Sequence, residues 1–314
     1  MEIPLTVPDI LSRLKSKIDP ANLRLRIVSA FVLAPLVLVC IYFGGWLYAV
    51  VTILFMALAM HEWLKVVSPS ASPGVIITAH SVLLATFGLG FVVWLLGSAS
   101  VFDFLGASHA RMATRIIICL LFELLLFAVL YGVAVSDKKK TAGWVLMGLL
   151  YIGIGGIALL WARFMGMKHA YFLFLTVWVT DIGAYLAGQL IGGPRLAPEI
   201  SPKKTWAGLF GGMAFAALFG YGVATGFGST QTWGAVKLAL VLAVVAQLGD
   251  LFESFVKRRM KVKDSGRLIP GHGGVLDRID GLLFAAVFYV LCDLAGPCRL
   301  DIRLFVNCFL ITGV

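Results

Sequence analysis

Nine apolar stretches recur along the chain, at approximately Ile27–Phe43, Trp46–Met60, Val75–Leu96, Arg115–Val135, Trp144–Trp161, Ala170–Ile191, Trp206–Phe227, Val236–Phe255 and Ile279–Ala295. None alternates apolar and polar residues with period two, as a closed barrel requires, so the pattern predicts helices. Their lengths approach the roughly 20 residues that a bilayer crossing takes. The first two are parted only by Gly44-Gly45, which predicts a tight break between helices. Residues 1–23 read as a short surface segment, and Asp301–Val314 is too short to span.

Composition turns this pattern into a class. Of 314 residues, 60% are hydrophobic and 13% charged, against roughly 45–50% and about 25% in soluble domains. Such a chain is not an ordinary cytosolic enzyme, a disordered protein or a disulfide-stapled secreted domain. Five cysteines stand singly, without a CxxC pair, and read as packing residues. The expectation is an all-α polytopic membrane protein with about nine transmembrane helices.

The net charge of +10 sets the orientation. With the N-terminus cytoplasmic, nineteen of the 26 Lys and Arg residues fall on the inner side and seven on the outer, as positively charged inner loops require. The implied division is a cytoplasmic segment 1–26, N-terminal membrane helices 27–169, a C-terminal catalytic membrane region 170–298 with a cytoplasmic loop 257–278, and a tail 299–314.

Acids within apolar segments cost free energy and ask for a reason. Glu123 and Asp293 stand alone. Glu253 is four residues from Lys257 and reads as its partner. Asp181 sits mid-helix, whereas Asp250, Asp277 and Asp280 gather around one cytoplasmic loop. Three such carboxylates repel unless a cation lies between them, and oxygen-only ligation suits Mg²⁺.

That loop carries seven cations between Lys257 and Arg278, and Pro270, Gly271, Gly273 and Gly274 bracket His272. A glycine-rich turn flanked by bases and acids suits a metal-bound nucleotide. A second inner loop contains Ser201-Pro202-Lys203-Lys204-Thr205. Ser201 reads as an N-cap and Pro202 as the first helical residue, placing two lysines in the first turn, where an anion would bind. Gly208 and Gly212 form a GxxxG pair that permits close helix approach. Neither a Walker A nor a GxGxxG pattern occurs.

The run Ser254-Phe-Val-Lys257-Arg258-x4-Lys263-Asp264-Ser-Gly-x2-Ile269-Pro270-Gly-His272-Gly273-Gly274-x2-Asp277-Arg278-Ile-Asp280 resembles the signature of phosphatidate cytidylyltransferases (CDP-diacylglycerol synthases). The resemblance extends to Asp181-x2-Ala184-Tyr185-x2-Gly188, Ser201-Pro202-x-Lys204-Thr205 and Gly249-Asp250-x2-Glu253-Ser254. Ala207 departs from it, since many relatives carry Glu or Gln there.

The resemblance implies that CTP and phosphatidate give CDP-diacylglycerol and pyrophosphate, and the modest length without a large soluble extension favours a bacterial cytoplasmic (inner) membrane. It implies Mg²⁺ ligation by Asp250 and Asp277, with Asp280 and Asp181 as supporting ligands or ligands of a second cation such as K⁺. Lys204, Lys257, Arg258, Lys263 and Arg278 would hold phosphates, and His272 would orient a phosphate oxygen or the leaving pyrophosphate. Ser201, Lys203, Thr205, Ser254, Asp264, Gly273 and Gly274 would complete the substrate site. CTP, phosphatidate and the bilayer are the implied partners, with a homodimer among the assemblies allowed and no nucleic acid expected. The alternatives are a CTP-dependent polyprenol or phytol kinase and a cation-coupled transporter. A CDP-alcohol phosphotransferase lacks its DGxxAR pattern here.

Overall fold

A computed structural model describes residues 20–97, 109–226, 232–266, 268 and 273–294. The N-terminal segment 1–19, the tail 295–314, Arg267 and Ile269–His272 lie outside the described residues.

The described chain is almost wholly helical. In order it forms α1 (Pro20–Phe43), α2 (Gly45–Val67), α3 (Pro73–Gly97), α4 (His109–Met165) and α5 (Met167–Leu190), then strands β1 (Arg195–Ala197) and β2 (Ser201–Thr205), then α6 (Trp206–Gly226), α7 (Thr232–Arg259) and α8 (Leu276–Leu294). Five stretches are long and apolar enough to cross a membrane: α2, Lys140–Met165 of α4, α5, α6 and α7. The other predicted segments fall on α1, α3, the first half of α4 and α8. This is an all-α membrane protein with one small hairpin.

Gly44 and Gly45 separate α1 from α2 as predicted, both at positive φ (59° and 50°). Between the fourth and fifth apolar segments, however, the expected loop is absent. Residues 136–143 continue one 57-residue helix. Its Asp-Lys-Lys-Lys-Thr run contains no proline, and lysine is a good helix former, so polarity alone does not interrupt it. At 1.5 Å per residue α4 is about 86 Å long, well beyond one bilayer crossing.

The described residues form two compact units, one of Gly45–Trp161 and one from 1–44 with 162–314. In the first, α2 runs antiparallel to α4: the Tyr48 hydroxyl donates to Leu159 O at 3.1 Å and Trp63 Nε1 to Trp144 O at 2.8 Å. Met56, Met60, Leu64, Leu83, Leu149 and Ile152 fill its interior.

The second unit contains the signature segments from Asp181 to Asp280. Its helices α5 and α6 approach closely because α6 presents glycines to α5. A Cβ on Gly212 would lie 2.9 Å from Thr180 O, and one on Gly208 3.0 Å from Ala184 O. Both members of the predicted GxxxG pair therefore serve contact. The same device joins α7 to α8: a Cβ on Gly249 would lie 2.7 Å from Asp280 O, and one on Gly281 2.8 Å from Ala246 O. Deeper in the unit, the buried His169 Nδ1 and the Tyr289 hydroxyl hydrogen-bond at 2.9 Å, linking α5 to α8.

Between α5 and α6 the structure corrects the sequence reading. Ser201 is not an N-cap and Pro202 does not open a helix. Ser201–Thr205 is β2, antiparallel to β1, with Ala197 opposite Ser201 and Arg195 opposite Thr205. The helix opens at Trp206, and the Thr205 hydroxyl accepts from Gly208 N–H at 3.0 Å. A Ser-Pro pair fits a short edge strand as well as a helix start. The hairpin partner Arg195–Ala197 decides between them. Lys203 and Lys204 consequently precede the helix.

Candidate active site

The α7–α8 crossing sets the acids. With no side chain on Gly249 or Gly281, the two backbones meet, and Asp250 and Asp280, each adjacent to one of those glycines, flank the contact. Asp280 lies within electrostatic reach of Asp250 and Glu253. Asp181, from α5, is within reach of Asp250, Lys204 and Arg278. Three separated parts of the sequence thus bring acids to one place.

Two lysines hold this arrangement. Lys204, at the end of β2, reaches α7: its Nζ lies 2.7 Å from Asp250 Oδ2 and donates to Gln247 O at 3.4 Å. Lys257, in the last turn of α7, stands 2.7 Å from both Glu253 Oε2 and Asp277 Oδ1. The predicted Glu253–Lys257 pair is present, with Asp277 added as a third member. Glu253 is 1% exposed, and its Oε1 has no hydrogen-bond partner among the described residues.

Asp277 and Asp250 differ in environment. Asp277 accepts from Lys257, from Gly274 N–H at 2.9 Å and from Ser265 N–H at 3.2 Å. Its two oxygens thereby tie Ser265 and Gly274 to the start of α8. Asp250 has a side chain 38% exposed and one protein cation beside it. It is the more accessible carboxylate.

Arg258 donates from Nε to Ile200 O at 3.2 Å and from Nη1 to Val262 O at 3.5 Å, fastening the hairpin to the turn after α7. Lys203, Lys263, Asp264 and Arg278 are exposed, and Ser201, Thr205 and Ser254 are half-buried. Lys263 and Asp264, with Val262 and Gly266, line an open recess of about 360 Å³. Gly273 turns the chain at φ 84°, where a Cβ would meet Asp277 Oδ2 at 2.9 Å. His272 lies outside the described residues. The hairpin, the Gln247 carbonyl and the Ser265 amide were not read from sequence. None has a motif, since each matters through its backbone.

Among the described residues no three His, Cys, Asp or Glu side chains stand together as a ready cation cage. Mg²⁺ seldom uses one. It ordinarily takes one or two carboxylates and completes its shell with water and substrate phosphates. Asp250 and Asp280, next to the glycines of the α7–α8 crossing, supply carboxylate oxygens of the kind such an ion takes.

Apolar helices long enough to cross a bilayer, with acids and bases brought together by α5, α7 and α8, define a membrane protein with a charged site, and a family match places it more closely. A sequence profile of the cytidylyltransferase family matches residues 24–294, and the chain belongs to that family.

Among individual relatives, the phosphatidate cytidylyltransferase of Brucella suis biovar 1 (strain 1330) is 49% identical over 160 residues, covering 50% of this chain and 59% of that protein. Those of Staphylococcus epidermidis (strain ATCC 35984) and Staphylococcus aureus (strain COL) are 44% and 41% identical over 145 residues, each match covering 46% of this chain and 55% of the relative. The matched region thus spans somewhat more than half the length of these relatives.

Proposed function

We propose that the protein is a CTP:phosphatidate cytidylyltransferase, forming CDP-diacylglycerol and pyrophosphate at the cytoplasmic face of a bacterial inner membrane. The observation that carries this reading is the convergence of Asp181, Lys204, Asp250, Lys257, Asp277 and Asp280, all within the signature segments, in one compact unit. The names of the bacterial relatives and the inner-side excess of Lys and Arg support the substrates and the orientation.

In the proposed reaction a phosphatidate phosphate oxygen attacks the α-phosphorus of CTP. The new P–O bond forms as the bond from the α-phosphorus to the bridging oxygen breaks, and pyrophosphate departs with that electron pair. A phosphate nucleophile is already ionised near neutral pH, so no strong general base is needed. Catalysis rests on positioning and on neutralising two anions. Asp250 and Asp280 would hold Mg²⁺, with Asp181 nearby for a second cation; bound there, Mg²⁺ supplies positive charge to the phosphates. Lys203, Lys263 and Arg278 are the exposed cations that would meet phosphate oxygens. Lys204 orients Asp250, Lys257 fixes Asp277, and Arg258 anchors the hairpin that delivers Lys203, Lys204 and the Ser201 and Thr205 hydroxyls. His272, Ser254, Asp264, Gly273 and Gly274 belong to the same proposed substrate site.

The test is purified protein in detergent with [α-³²P]CTP, phosphatidate and Mg²⁺. Label in a lipid product, blocked by EDTA, is the expected result. Label confined to CDP would replace this reading with a lipid kinase.

A further inference from the structure

The chain leaves α7 through a turn that its own backbone closes. Lys261 N–H donates to Arg258 O at 3.0 Å and Val262 N–H to Lys257 O at 2.9 Å. That pair of bonds is a Schellman arrangement, whose turning residue takes the left-handed region and is usually glycine. Here it is Lys261 at φ 59°, the one non-glycine residue with positive φ among those described. The chain is fastened again at Ser265, whose N–H donates to Asp277 Oδ2 at 3.2 Å. Residues 262–264 are thus held at both ends, while the Lys263 and Asp264 side chains stay exposed.

Between the two ties Val262, Lys263, Asp264 and Gly266 line the open recess of about 360 Å³. Its volume lies at the small end of the range for ligand pockets and suits a single ring. Val262 makes part of the wall apolar, and Gly266 leaves bare backbone on which a flat ring can lie. Asp264 makes no hydrogen bond or ion pair among the described residues. Ser265, next to it, touches Asp277, three residues before Asp280, so the recess adjoins the acids of the α7–α8 crossing.

A free carboxylate beside a site for phosphates repels them and is useful only toward a donor. CTP offers two kinds, the ribose hydroxyls and the 4-amino group of cytosine. A hydroxyl has no use for an apolar wall, whereas the faces of a pyrimidine ring do. A carboxylate accepting from that amino group is also a recurrent way of reading cytosine.

We propose that Asp264 accepts a hydrogen bond from the cytosine 4-amino group, with the ring against Val262 and Gly266, so that the recess selects CTP over UTP. The inference rests on the proposed CTP reaction and names the group that reads the base. Uracil carries a carbonyl where cytosine carries the amino group, and an ionised carboxylate has no proton to offer it. Lys263, the neighbouring cation, remains with the phosphates.

The test compares CTP, UTP and 2′,3′-dideoxy-CTP on the full chain in detergent. Turnover is measured with phosphatidate and Mg²⁺, and binding by equilibrium dialysis of each labelled nucleotide. The parent should prefer CTP to UTP at least a hundredfold in kcat/KM. Asp264→Asn and Asp264→Ala should each cut that preference at least tenfold, leaving the ratio of CTP to dideoxy-CTP and inhibition by pyrophosphate unchanged. A preference that survives both substitutions within twofold overturns the proposal. So does loss of the dideoxy ratio in its place, which would assign Asp264 to the ribose. Equal binding of CTP and UTP by the parent also overturns it, as does a fall in the SDS unfolding midpoint large enough to explain the loss. If no nucleotide gives a lipid product, yet CTP binds in preference to UTP and Asp264→Asn removes that preference, the proposed reaction fails and the base reading stands.

Discussion

Replacing Lys257 with Met tests the centre of the site most directly. The Lys257 ammonium sits 2.7 Å from each of two carboxylates, and the side chains of Lys257, Glu253 and Asp277 are only 14%, 2% and 10% exposed. At an effective dielectric of about 20, each contact supplies roughly 6 kcal/mol of gross attraction. Desolvation of several kcal/mol per ion opposes it. The net value of the triad is therefore modest, but removing its one cation leaves two buried acids facing each other. Breaking a buried pair in that way costs about 3–5 kcal/mol, which is roughly a hundredfold to several thousandfold in the unfolding equilibrium.

Methionine keeps the length and apolar stem of lysine, so the effect isolates the charge. The assay is unfolding in mixed micelles under increasing SDS, followed by helical circular dichroism. Lys257→Met should unfold at markedly lower SDS than the parent, and adding Glu253→Gln should restore part of the difference by removing one uncompensated acid. If Lys257→Met unfolds within about 0.5 kcal/mol of the parent, as an ordinary surface substitution does, the ion triad does not hold the site together.

Asp250→Asn should reduce lipid labelling at least a hundredfold with little change in the unfolding midpoint, because Asp250 is the accessible carboxylate; Asp277→Asn should lower both, since Asp277 also receives two backbone amides and Lys257. Parallel activity and unfolding measurements separate the two. Gly281→Val would press side-chain atoms into the backbone near Ala246 O, and such overpacking costs about 1–3 kcal/mol. Its activity loss should exceed what the drop in folded fraction explains. Thr205→Val removes the cap on α6 and should cost about 1 kcal/mol in the same SDS titration, whereas Thr205→Ser should cost far less. Arg258→Gln should raise protease sensitivity at the hairpin, as its Nε–H no longer ties down Ile200 O.

The sequence revealed those features that depend on local pattern. Apolar run length marked most helices, Gly44-Gly45 marked the first break, and the four-residue spacing of Glu253 and Lys257 marked a real ion pair. The continuity of α4 escaped because charged residues were read as a loop where no helix-breaking residue stands. The hairpin escaped because Ser201-Pro202 satisfies a helix start equally well, and only pairing with Arg195–Ala197 distinguishes the two. At the site, residue types were legible and their division of labour was not. Asp250 and Asp277 look alike in sequence, yet one is accessible beside Lys204 and the other is bound by amides contributed from residues 265 and 274.

The glycine crossing of α7 and α8 has a consequence for how this site can vary. When backbones touch, the relation between two acids is measured in whole residues: sliding one helix by a single position turns its side chains by about 100° and advances them 1.5 Å. Asp250 and Asp280 therefore have no continuum of intermediate separations available through small side-chain exchanges at Gly249 or Gly281. The site behaves like a notched gauge. The spacing of its acids can be kept or lost, and retuning it would take a coordinated change of helix register.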